Sequence, residues 1–99
     1  MIRELVYLDE AKEDIIRLND YIENQCKAPL TALRYLQGLE GRIIWLRGNA
    51  DRFPIVPELS FIMGIEIRRL NYKEMAILYS IDDDLVYIHR IIPQSMVIY

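Results

Sequence analysis

The stretch "YSIDDDLVYIHR", Tyr79 to Arg90, decides how the C-terminal half folds. Two runs rich in β-branched and aromatic residues flank three consecutive aspartates, a pattern that reads as two strands joined by a tight hairpin. Aspartate tolerates a left-handed backbone and bonds to nearby amides, so the acidic run suits the turn. A calcium loop instead needs oxygen ligands at alternating positions, a glycine and a distant glutamate, and this stretch lacks that pattern. No metal site is expected here, and no cofactor.

The turn length sets the faces. If all three aspartates form the loop, Ile81 pairs with Leu85, Tyr79 with Tyr87 and Ile77 with His89. If two do, Ile81 pairs with Val86, Tyr79 with Ile88 and Ile77 with Arg90. A slip of one residue exchanges every side chain between faces, so His89 and Arg90 compete for the side shared with Met75, Ile77 and Tyr79. Burying an unpartnered arginine costs far more than burying a neutral imidazole. Both registers stay open.

Working outward, "LSFIMGIEIRRL", "MAILYSI" and "LVYIHRII" read as three β-rich runs separated by "NYKE" and "DDD". Antiparallel hairpins are their natural connection. "MVIY" could add a short tail strand. Upstream, "ADRFPIVPEL" carries two prolines and reads as a loop.

Before it lie two helical patterns. In "DEAKEDIIRLNDYIENQC" the apolar stripe runs Ala11, Ile15, Leu18, Ile22, Cys26, with Asp9 as N-cap and Glu10, Glu13 and Asp14 near the positive end of the helix dipole. In "PLTALRYLQGLEGRIIWLRGNA" it runs Ala32, Leu36, Leu39, Ile43, Leu46, opened by Pro29 and ended by Gly48 and Asn49. Gly38 and Gly41 inside this helix each cost about 1 kcal/mol relative to alanine, which implies close packing or a partner contact. "IRELVYL", residues 2–8, opens the chain as a strand.

The order is β-α-α-β-β-β. It predicts one α+β domain over residues 1–99, with an antiparallel helical hairpin packed on a mainly antiparallel four-stranded sheet.

Composition narrows the function. The 99 residues are 53% hydrophobic and carry net charge −3. An acidic chain is a poor electrostatic match for phosphate backbones. No apolar run approaches the roughly 18 residues of a membrane span, and no leader pattern precedes the first strand. A cytoplasmic protein without membrane contact is expected. Cys26 is the single cysteine, which excludes an internal disulfide and points to a reduced thiol. His89, the single histidine, has no serine or cysteine close in sequence to suggest a triad.

In order and spacing, "ELVYLDEAKEDIIRLNDYI", "APLTALRYLQGLEGRIIWL", "GIEIRRL" and "AILYSIDDDLVYIHRI" resemble the RelE/ParE toxin superfamily over about residues 5–92. The resemblance implies a small toxin of a type II toxin–antitoxin, plasmid-stabilising module, held inactive by a cognate antitoxin.

Two mechanisms divide the superfamily. RelE-like members are ribosome-dependent mRNA endoribonucleases, whereas ParE-like members are associated with inhibition of DNA gyrase. For the nuclease the resemblance offers Arg68, Arg69, His89, Arg90 and Tyr99, together with Lys73. However, "IIPQSMVIY" places Pro93, Gln94 and Ser95 where many members carry a histidine, glycine and basic residues. RNA cleavage needs a base, an acid and cationic stabilisation of the transition state, and losing one such electrostatic group costs about 10²–10³ in rate.

A ParE-like, non-enzymatic gyrase inhibitor is therefore the leading expectation. The alternatives are the nuclease and a non-toxic interaction module of the same fold. Candidate target or partner contacts are Arg68, Arg69 and Arg90 on the strands and Arg34, Arg42 and Trp45 on the second helix; for Trp45, packing against the sheet is the favoured reading. An uncovered edge strand or the glycine face of that helix could support a homodimer. His89 facing away from the helices would favour the nuclease, and Arg90 facing away would favour a target contact.

Overall fold

A computed structural model describes residues 1–26 and 28–97, with Cys26 described by its backbone alone. The chain runs β1 (Glu4–Tyr7), α1 (Asp9–Cys26), α2 (Pro29–Trp45), α3 (Pro57–Met63), β2 (Arg68–Tyr72), β3 (Met75–Asp82) and β4 (Leu85–Pro93). Short 3-10 turns cover Leu46–Gly48, Ala50–Arg52 and Gln94–Met96. The strand order is β1-β4-β3-β2. β2, β3 and β4 pair antiparallel, while β1 returns parallel to β4, so the α+β sheet is mixed.

The two helical stripes are the ones that pack. Ala11 and Ile22 of α1 and Ala32, Leu39 and Ile43 of α2 are buried, as is Leu46 just beyond α2. Ala11, Leu39, Ile43 and Leu46 share one core with Ile77, Tyr79, Val86, Ile88 and Ile91 of the sheet. Tyr79 lies fully inside and donates its hydroxyl hydrogen bond to the Ala50 carbonyl at 2.7 Å. Burial pushes its pKa up to about 12, with Arg68 opposing that rise and Asp51 adding to it.

The run "LSFIM" is helical rather than extended. Pro57 occupies the first turn of α3, and Gly64 closes it in the left-handed conformation at φ 76°, its N–H bonded to the Ser60 carbonyl. A proline at the start and a glycine just past the end are helix punctuation that outweighs the β propensity of Phe61 and Ile62. Ser60 ties α3 to the incoming strand, because its hydroxyl oxygen accepts the Ile67 N–H at 2.8 Å. Leu59, Ile67 and Leu78 form a second, smaller core on the sheet face opposite the hairpin. The tail strand expected at "MVIY" is replaced by the 3-10 turn as far as Met96, and Ile98 and Tyr99 lie outside the described residues.

The two glycines of α2 have different environments. A Cβ on Gly38 would lie 2.1 Å from the Tyr72 hydroxyl, whereas one on Gly41 would meet nothing within 4 Å. Tyr72 is held edge-on to Tyr35 at 5.3 Å and lies under the Lys73 ammonium, so it cannot withdraw freely. Gly38→Ala is expected to cost about 1–3 kcal/mol through overpacking. Gly41→Ala should instead stabilise the helix by up to about 1 kcal/mol. Urea unfolding of the two variants measures the contrast; equal effects would remove close approach as the reason for Gly38.

Candidate functional site

The hairpin turn consumes two aspartates. Asp82 pairs with Leu85, leaving Asp83 and Asp84 in the loop, and Asp83 takes φ 53°. Ile81 therefore pairs with Val86 and Tyr79 with Ile88, as the two-aspartate register requires. Beyond that point neither register holds. A β-bulge lies between Tyr79 and Leu78, so Leu78 faces Arg90 and Ile77 faces Ile91. The extra residue on β4 is His89. The bulge lets Ile88 and Ile91, three positions apart, both enter the hairpin-side core.

His89 turns toward the other face, where its Nε2 lies 2.8 Å from the Ser80 hydroxyl. Burial holds its pKa below the ordinary histidine value, partly offset by the charge of Glu10. The unfolded chain would protonate this side chain near pH 6.5, but the folded chain does so only at lower pH. The corresponding stability is complete above about pH 6.5 and is lost as pH falls toward the folded value. Melting temperatures at about pH 7.5 and 5.5 should show a smaller acid-induced drop for His89→Asn than for the wild type. An identical drop would mean that His89 is not the group responsible.

Arg90 reaches around the sheet edge to α1. Its Nε and one terminal nitrogen donate to the two Asp14 carboxylate oxygens at 2.8 and 3.1 Å. The Ile91 backbone N–H donates to the same carboxylate at 2.9 Å, and Arg17 donates to it at 3.0 Å. Glu10 adds a looser ion pair to Arg90 at 3.6 Å. The Asp14 side chain is 3% exposed against 34% for Arg90. Hydrogen bonding to Asp14 raises the Arg90 pKa further, so the guanidinium stays charged at every accessible pH.

Ile91 uses this contact because β1 accompanies β4 only as far as Ile88, with Leu8 making the last bond to its carbonyl. A side chain on α1 completes what the strand leaves open. Sequence reasoning placed Asp14 among the charges at the helix start and missed this role.

Alongside this cluster runs a groove of about 610 Å³ between the hairpin and the end of β4. Leu18, Tyr21, Ile22, Met75, Ile91 and Met96 give it apolar walls. Arg17, Arg90 and Asp14 contribute charge to its lining, as does Glu74. Tyr35 on the wall donates toward Glu74 at 3.4 Å; burial and that carboxylate push its pKa up to about 12.

The other candidate contacts are held by separate sets of partners. Arg68 donates to the Phe53 and Asp51 carbonyls. Arg69 donates to Asn71 at 2.8 Å and Gln94 at 3.3 Å. On α2, Arg34 is exposed, while Arg42 stacks over the Trp45 ring at 4.7 Å and Trp45 meets Phe53 edge-on. Tyr99 lies outside the described residues. Among the described residues no group of three or more histidines, cysteines and acidic residues could hold a metal ion, and no helix is long and apolar enough to cross a membrane.

The sequence profile of the "ParE toxin of type II toxin-antitoxin system, parDE" matches residues 5–98. Among curated proteins, none matches. The fold is similar to that of a solved structure described as "Chromosomal ParDE TA system from P. aeruginosa", with a TM-score of 0.76 at 19% identity, covering 93% of this chain and 96% of that one.

Proposed function

The chain belongs to the ParE toxin family of type II toxin–antitoxin systems, and from that membership we propose that it inhibits DNA gyrase and is neutralised by a cognate antitoxin seated in the groove beside α1. The observation that carries this reading is the ParE match over residues 5–98, nearly the whole chain. The groove supports the second half of it. An amphipathic antitoxin segment would lay apolar side chains against Leu18, Ile22 and Met75 and place an acidic group within reach of Arg17. Cytoplasmic residence follows from a gyrase target.

Inducing the protein alone should arrest growth, and co-expressing its cognate antitoxin should relieve the arrest. Purified protein should block supercoiling by gyrase in vitro. Intact supercoiling with rapid transcript cleavage would instead assign ribosome-dependent mRNA cleavage. One observation favours that second reading, namely that His89 lies on the sheet face away from the hairpin, bonded to Ser80. A soluble, intact protein that leaves growth unaffected would be an interaction module without toxicity.

A further inference from the structure

The face opposite the hairpin carries an apolar pattern on α3, none of whose residues lines the antitoxin groove. Phe61 stands on α3 with 89% of its surface exposed, the highest among the exposed large hydrophobic residues. Ile62 is 65% exposed, and Ile65 and Met63 beside them are also open. Next to this projection is a pocket of about 370 Å³ whose apolar lining includes Ile62, Met63, Leu78, Ile92 and Val97. Phe61 is not part of that lining. α3 thus carries a projecting aromatic ring and, through Ile62 and Met63, borders a mainly apolar recess whose lining also includes Glu10, His89 and Arg90.

We propose that this face is a self-association surface, on which Phe61 of each copy enters the recess beside α3 of a second copy. A two-fold interface must be self-complementary, with every projection matched by a recess on the same chain. Phe61 and the neighbouring pocket meet that requirement, whereas a different partner protein would need only one of the two. The area is also sufficient. The exposed side chains of α3 and Ile65 present on the order of 400–500 Å² of apolar surface, the size of the largest patch on a typical monomer, which is often functional. Two such faces bury roughly 1,000 Å², the lower bound of a specific interface. The two aromatic rings act as anchors, each desolvated in the other copy's recess.

The test measures the mass of the purified full chain by light scattering over a range of concentrations. Wild type should approach twice 11.8 kDa as concentration rises. Phe61→Asp removes the projection and Ile62→Asp spoils the recess; each should return the mass to 11.8 kDa with unchanged circular dichroism. An equimolar mixture of the two variants restores one of the two contacts, because intact Phe61 of one meets the intact recess of the other. That mixture should associate at least about ten-fold more tightly than either variant alone.

If either aspartate variant loses helical signal, Phe61→Ser and Ile62→Ser carry the same prediction. A wild type that stays monomeric throughout overturns the proposal. So does a dimer that survives both substitutions, or a mixture no tighter than its components.

Discussion

Asp14→Ala should lower the unfolding free energy by about 2–4 kcal/mol, the largest single effect expected on stability. Breaking a buried ion pair typically costs about 3–5 kcal/mol, because the partner keeps a charge that has lost its counter-ion. Here Arg90 is partly exposed and recovers some hydration, which reduces that term. The Ile91 N–H does not recover in the same way. It sits at a buried residue and loses its acceptor, at about 1–3 kcal/mol.

Asp14→Asn keeps one acceptor oxygen while removing the charge, so its cost should fall between wild type and alanine. A double-mutant cycle with Arg90→Gln isolates the ion pair from the backbone contact. A cost below about 1 kcal/mol for Asp14→Ala would show that the α1–β4 junction does not depend on this carboxylate.

Tyr21→Asp should weaken antitoxin binding by about a hundred-fold, or roughly 3 kcal/mol. Tyr21 lines the groove and is 63% exposed, so the substitution leaves the core untouched and the melting temperature close to wild type. The lost affinity comes from the aromatic anchor and from the cost of desolvating the introduced carboxylate under the bound segment. In cells the variant should arrest growth while co-expressed antitoxin no longer relieves the arrest. Unchanged affinity in calorimetry would place the antitoxin elsewhere on the surface and leave the toxin assignment intact.

The helical hairpin was legible in the chain because each helix carries its own apolar period, and burial follows that period from Ala11 to Ile22 and from Ala32 to Leu46. The β3–β4 hairpin was legible for a similar reason, since strand propensity and turn chemistry are properties of neighbouring residues. α3 was also written locally, in Pro57 and Gly64, but the β-branched and aromatic residues between them masked it. The distribution of the site arginines was not legible. Arg68, Arg69 and Arg90 are close in sequence character yet bind Phe53, Gln94 and Asp14, partners 15 to 76 positions away.

By itself the sequence determined the order of the strands and of the two long helices, the two core stripes, the aspartate turn and, through spacing along nearly the whole chain, the family. Those depend on interactions within a few residues, which periodicity and propensity record. The tertiary structure decided the direction of His89 and Arg90. Both candidate registers assumed an unbroken ladder, but the bulge at His89 brings Ile91 into the core, and its backbone N–H is left open where β1 ends beside β4. The Asp14 carboxylate on α1 satisfies it. That requirement exists only once β4 and α1 lie side by side, so no local pattern around "DDD" could encode it.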